Sequence, residues 1–176
     1  MKKKFQFVIV DSIREIVFGL EDSLVSTLGA ITGIAFGSNS TYIVILSGLV
    51  LIVAESTSMA AGSYLSSKNA FEAENGFHHA KSRKLPRSGR AALVMGVSYF
   101  IGGFVPLTPY FILPINQAVY PSVILTVVSL FLVGTWTATY TKRSKLKSGL
   151  EITGISLFAA LVGYLIGVLV HYYLGV

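Results

Sequence analysis

Cysteine is absent from this chain of 176 residues, and charge is scarce: 12% of positions are Asp, Glu, Lys or Arg, and only 8 of those are acidic. The first absence excludes disulfides, thiolate metal sites and a cysteine nucleophile together, and leaves the redox compartment open. The second, with 53% hydrophobic residues and a mean hydropathy of +0.69, excludes an ordinary water-solvated surface. There is also no P-loop, no Gly-rich dinucleotide turn, no HExxH zinc pair and no GxSxG nucleophile elbow. ATP hydrolysis by the chain itself is therefore not expected, nor is an enzyme of any kind, nor a permanently bound cofactor.

What the sequence does contain is apolar length. Five runs, 16–37, 42–65, 91–113, 119–140 and 150–172, each reach the roughly 20 residues that a tilted helix needs to span about 30 Å of hydrocarbon. The expected fold is all-α and polytopic: one transmembrane domain over 1–176 with five membrane helices. A transmembrane barrel would need strands of about ten residues alternating apolar and polar, and these runs are too long and uniform. The basic residues set the orientation. Lys2, Lys3, Lys4 and Arg14 precede the first run; six more lie between the second and third, in a short 68–90 loop; Lys142, Arg143, Lys145 and Lys147 lie between the fourth and fifth. None falls in 38–41, in 114–118 or after the fifth run, so the N-terminus is expected in the cytoplasm and the C-terminus outside or in a lumen. The net charge of +6 thus reports topology and contact with the lipid bilayer, not nucleic acid. No cleavable signal peptide is expected, because the first run is of full span length and holds an acid pair instead of a cleavage site.

Inside the second run lies a carboxylate, Glu55, with Met59 one turn later. An acid within a span is costly and by default marks an ion or proton path. The first run holds Asp22, which lies about 12 Å along the axis from Arg14, while Met59 lies about 13 Å from Lys68 on the antiparallel second helix. Both are thus at similar depth, and Glu55 lies one turn further out on the face of Met59. Glu21 is turned about 100° from Asp22, so the two share a cavity only if it is wide or if one of them snorkels. For Asp22 and Glu21 an interfacial role stays open, and for Glu55 that of a hydrogen-bonded packing acid. Gly29, Gly33 and Gly37, Ser58 and Gly62, and Gly163 and Gly167 are candidates for close helix packing or a dimer interface. Pro106 and Pro109 are expected to kink or unwind the outer end of the third helix, freeing carbonyls that could coordinate an ion.

Three strings resemble the vacuolar iron transporter family: Arg14 to Gly29, centred on Glu21-Asp22-Ser23-Leu24-Val25; Ser58-Met59-Ala60-Ala61-Gly62; and Gly102-Gly103 followed by Pro106-Leu107-Thr108-Pro109-Tyr110. The resemblance covers nearly the whole chain. It implies a homodimeric exchanger that moves Fe²⁺, and often Mn²⁺, out of the cytosol against protons, with Asp22 and Met59 lining the path. Ser23 stands where the family usually has Gly, Ser63 where Glu is common, and Glu55 where a small residue is usual. Most of the glutamate-rich cytoplasmic domain of longer members is missing; Glu72, Glu74, His78 and His79 in the remaining loop are candidates for collecting metal, or are simply solvated. Carboxylates suit Mn²⁺ and Fe²⁺, and a thioether favours Fe²⁺ over Mg²⁺ or Ca²⁺. A transporter of another cation and a non-transporting membrane scaffold remain alternatives. A prokaryotic-style cell membrane is the expected location, or a vacuolar or other organelle membrane if the host is eukaryotic.

Overall fold

The computed structural model describes residues 2–75 and 85–174, with side chains for 12–73, 88–158 and most of the remainder to Tyr173. It comprises five helices: α1 Lys2–Ser38, α2 Thr41–Asn75, α3 Leu85–Ile112, α4 Ile115–Thr141 and α5 Lys145–Leu174. Among the described residues, four stretches are long and apolar enough to cross a membrane: Ser12–Ser38, Thr41–Ala73, Ser88–Ile112 and Ile115–Thr141. Side chains such as Val50, Ile101, Ile112, Ile124 and Leu132 are exposed over most of their surface, which suits lipid and not water.

The connections are tight. Asn39 takes a left-handed conformation with φ of 46° and donates its N–H to the Ala35 carbonyl at 3.1 Å, closing α1 before α2 starts. Lys142, with φ of 57°, ends α4 in the same way. The helices run further than the apolar lengths imply. The segment 68–90, expected as a loop, is helical to Asn75 and again from Leu85, because helix propensity does not stop where hydrophobicity does. α3 also continues as a helix through Pro106 and Pro109 to Ile112, so the expected unwinding is not seen. Both prolines are buried, and Ser122 Oγ on α4 donates to the Pro106 carbonyl at 2.6 Å, tying α4 to this stretch.

α3 packs most extensively on α2 and α1, and α1 touches all four other helices. Glycines make this possible. A Cβ on Gly19 would lie 2.9 Å from the Met95 carbonyl, one on Gly96 3.1 Å from the Ser56 carbonyl, and one on Gly103 2.7 Å from Ile52 Cγ1. Ile31, Ala35, Val44, Ile52, Leu107, Tyr110 and Ala118 form a core where α1 to α4 converge. The buried face of α4 is a four-residue repeat of mostly small side chains: Ala118, Ser122, Thr126, Leu130, Gly134 and Ala138. By contrast Gly62, expected to pack helices, is exposed and has nothing within 4 Å of an added Cβ. Gly29 is buried and Gly33 half-buried.

At Gly134 a Cβ would lie 2.7 Å from both the Gly149 Cα and the Ser148 carbonyl, backbone atoms that cannot swing aside. Gly134→Ala is therefore expected to cost about 1–3 kcal/mol and to lower the thermal midpoint. Gly154→Ala, with open space around it, is expected to leave that midpoint unchanged or slightly raised. Melts followed by the fluorescence of the single tryptophan, Trp136, check both.

Candidate functional site

α1 and α2 run antiparallel from their shared turn, which places Asp22, 16 residues before Ser38, near the level of Glu55, 14 residues after Thr41. Both carboxylates are half-buried, and Asp22 lies within electrostatic reach of Glu55. Met59 lies one turn further along α2 and is also half-buried. Asp22 and Glu55, which the sequence placed on neighbouring spans at similar depth, thus lie at nearly one level, where α3 lies against both helices.

Glu21 does share a cavity with Asp22. The two line a cleft of about 230 Å³ with Phe18, Val25, Ile155 and Ser156, between α1 and α5. Ser156 Oγ donates to Glu21 Oε1 at 3.2 Å, which turns the Glu21 carboxylate toward α5. Snorkelling to the interface is thus not needed to explain its place.

Two residues that sequence reasoning missed complete the surroundings. Tyr99 of α3 is fully buried, its hydroxyl is 2.7 Å from Ser26 Oγ, and the charges of Asp22 and Glu55 both act on it. An isolated tyrosine in an apolar helix carries no signal by itself, so only packing reveals it. Glu15 is 9% exposed, with Arg14 Nε 3.9 Å from one carboxylate oxygen and no partner for the other among the described residues. The signal for Glu15 was its spacing: seven residues before Asp22, it falls on the same face two turns nearer the start of α1. Ser63 Oγ is likewise buried and unpartnered among the described residues.

No three His, Asp or Glu side chains converge among the described residues, so the paired acids need neutral oxygen or sulfur donors to complete a metal's shell. The candidates between α2 and α3 stand apart. Glu72 is exposed and 3.9 Å from Lys68, an i,i+4 ion pair on a solvated helix face. Glu74 lies in the last turn of α2, but its side chain, like His78 and His79, is outside the described residues.

A sequence profile of the VIT family matches residues 13–85 and 70–168. An uncharacterized protein of Methanocaldococcus jannaschii is 27% identical over 167 residues, covering 87% of each chain. A vacuolar iron transporter of Centaurea cyanus is 22% identical, covering 92% of this chain and 89% of its own. Vacuolar iron transporter homolog 4 of Arabidopsis thaliana is 31% identical over 101 residues, 54% of this chain and 51% of that one.

Ser23 beside Asp22 offers a test of how α3 seats against α1. Its hydroxyl occupies the space where a Cβ on Gly102 would go, and it donates to the Leu20 carbonyl at 3.0 Å. Gly102→Ala alone is expected to destabilise by about 1–3 kcal/mol, and Ser23→Gly in the same chain to recover most of the loss. Thermal midpoints of the two single variants and the double variant measure that coupling.

Proposed function

The chain belongs to the VIT family, and on that footing we propose that it carries a divalent transition metal, Fe²⁺ and also Mn²⁺, out of the cytosol in exchange for protons. It is a multi-pass membrane protein, and its family is one of transporters, not enzymes. Metal as cargo is supported by the names of its relatives, several of which are vacuolar iron transporters. The observation that carries the reading for this chain is the Asp22 and Glu55 pair, two acids from antiparallel spans at one level. Two carboxylates inside a bilayer are costly alone and favourable around a divalent cation. Met59 supplies the soft donor that favours Fe²⁺ over Mg²⁺ or Ca²⁺.

Metal and proton compete for the same oxygen atoms, since a cation binds the deprotonated carboxylate and a proton displaces it. In this reading Glu15, buried two turns nearer the cytoplasm, receives metal first, and Asp22 and Glu55 take it up deprotonated. Protonation from the acidic far side then releases it. Glu21, held by Ser156, adds charge to the cleft beside Asp22.

In the same reading α5 is a fifth span, which puts the N-terminus in the cytoplasm and the C-terminus on the far side, in keeping with the basic clusters at one end of the bundle. The outer face of α2 presents Ala54, Ser58, Ala61 and Gly62 exposed, small side chains that suit the seam of a homodimer. The segment 68–90 serves as a reduced metal collector through Glu72, Glu74, His78 and His79.

Purified protein in liposomes under a pH gradient is expected to admit Fe²⁺ and Mn²⁺ with counterflow of protons. Asp22→Asn and Glu55→Gln are each expected to lower the rate by at least about tenfold, the scale of losing one charge-assisted metal contact. Wild-type exchange in Asp22→Asn vesicles would sink the assignment; proton movement without metal dependence would transfer it to another cation.

A further inference from the structure

We propose that Tyr99 is a positioning and selectivity residue of this site: its hydroxyl, held by Ser26, brings a neutral oxygen to the two carboxylates and sets the geometry in which they accept a divalent cation. The inference rests on the reading that Asp22 and Glu55 bind the cargo.

Tyrosine in a membrane protein ordinarily sits at the interface, where its ring is in lipid and its hydroxyl in water. Tyr99 is instead 0% exposed, 13 residues from the end of α3, at about the depth of Glu55 and Asp22. A hydroxyl there needs a partner, because an unsatisfied one in an apolar medium costs several kcal/mol. The partner is Ser26 Oγ at 2.7 Å, one turn beyond Asp22 on the same face of α1. The Tyr99 backbone nitrogen lies 3.1 Å from the position of a Cβ on Gly19, so α3 meets α1 closely at this level.

The proton inventory then decides what the pair can do. Two hydroxyls carry two protons, and their mutual bond uses one. The second is free to point at a third acceptor, and Asp22 lies one turn from Ser26 on the same face of α1, with Glu55 at about the same depth on α2. Donated to a carboxylate, it holds the empty site in a fixed shape. Turned away, it leaves an oxygen lone pair for a bound cation. No third acid or imidazole converges here among the described residues, so neutral oxygens weigh heavily in the shell. An added hard oxygen favours Mn²⁺ relative to ions that rely on the Met59 thioether.

The experiment is Mn²⁺ influx into proteoliposomes, comparing wild type, Tyr99→Phe, Ser26→Ala, the double variant and Asp22→Asn. Tyr99→Phe keeps the ring, and it is expected to raise the KM for Mn²⁺ about five- to tenfold with Vmax within about twofold, the size of one ordinary net hydrogen bond. Ser26→Ala is expected to raise KM less, and the double variant no more than Tyr99→Phe, because the two hydroxyls act as one unit. A KM for Fe²⁺ that rises less than that for Mn²⁺ is the signature of a selectivity role, which a loss of folding would not produce. An unchanged KM for Mn²⁺ in Tyr99→Phe, with flux lost in Asp22→Asn, overturns this inference and leaves the functional reading standing; flux retained in Asp22→Asn overturns both. If Tyr99→Phe folds poorly, Ser26→Ala carries the test alone: a raised KM supports the pair, and a wild-type KM overturns it.

Discussion

In lipid, apolar side chains gain little by moving from the bilayer to a helix interface, so a bundle must be held by close backbone contact and by hydrogen bonds between helices. Here that contact is made by α3. Gly102 and Gly103 set it against Ser23, Thr27 and Ile52, Gly96 lets α2 approach, and Gly19 lets α1 approach from its own side. Hydroxyls finish the work: Ser122 reaches the Pro106 carbonyl, and Arg90 donates to Ser12 Oγ at 2.8 Å near the other end of the helix. Without this wedge, Tyr99 could not reach Ser26, and α1 and α2 would present their acids with nothing between them to order the space.

That packing also accounts for the placement of charge. Carboxylates buried in a bilayer persist only where something compensates them, and this chain concentrates them along one side of α1 and at one level of α2. Glu21 is tethered to α5, Asp22 and Glu55 face a common region, and Glu15 is buried with one oxygen unpartnered among the described residues. In the proposed reading these acids mark the route of the cation through the bundle. An acid serving only to pack helices would be expected to have its oxygens fully hydrogen-bonded.

Where sequence reasoning went astray, the cause is identifiable. Glycine spacing passed over Gly134 and Gly149, whose close contacts are made with other helices. A repeat within one helix says that small residues share a face; it does not say what that face meets. The loop between α2 and α3 was drawn too long because hydropathy marks the membrane, whereas hydrogen bonding and propensity mark the helix. Prolines 106 and 109 were expected to kink or unwind α3; it does not unwind, and Ser122 contributes a bond from α4 to the carbonyl of Pro106.

Hydropathy, the clustering of Lys and Arg, and the Asp22 and Met59 strings were enough to determine an all-helical membrane protein of this family and to mark Asp22 and Glu55. These are properties of local composition and spacing, and lipid as solvent makes them nearly sufficient, because a spanning segment must satisfy its own backbone. Tertiary structure alone decided that α3 lies against both α1 and α2, that Tyr99 and Ser26 share a hydrogen bond beside the acids, and that Glu21 turns to Ser156. Each of these contacts joins residues dozens of positions apart, and which of them meet depends on how closely two backbones can approach, a quantity that no single helix carries in its own sequence.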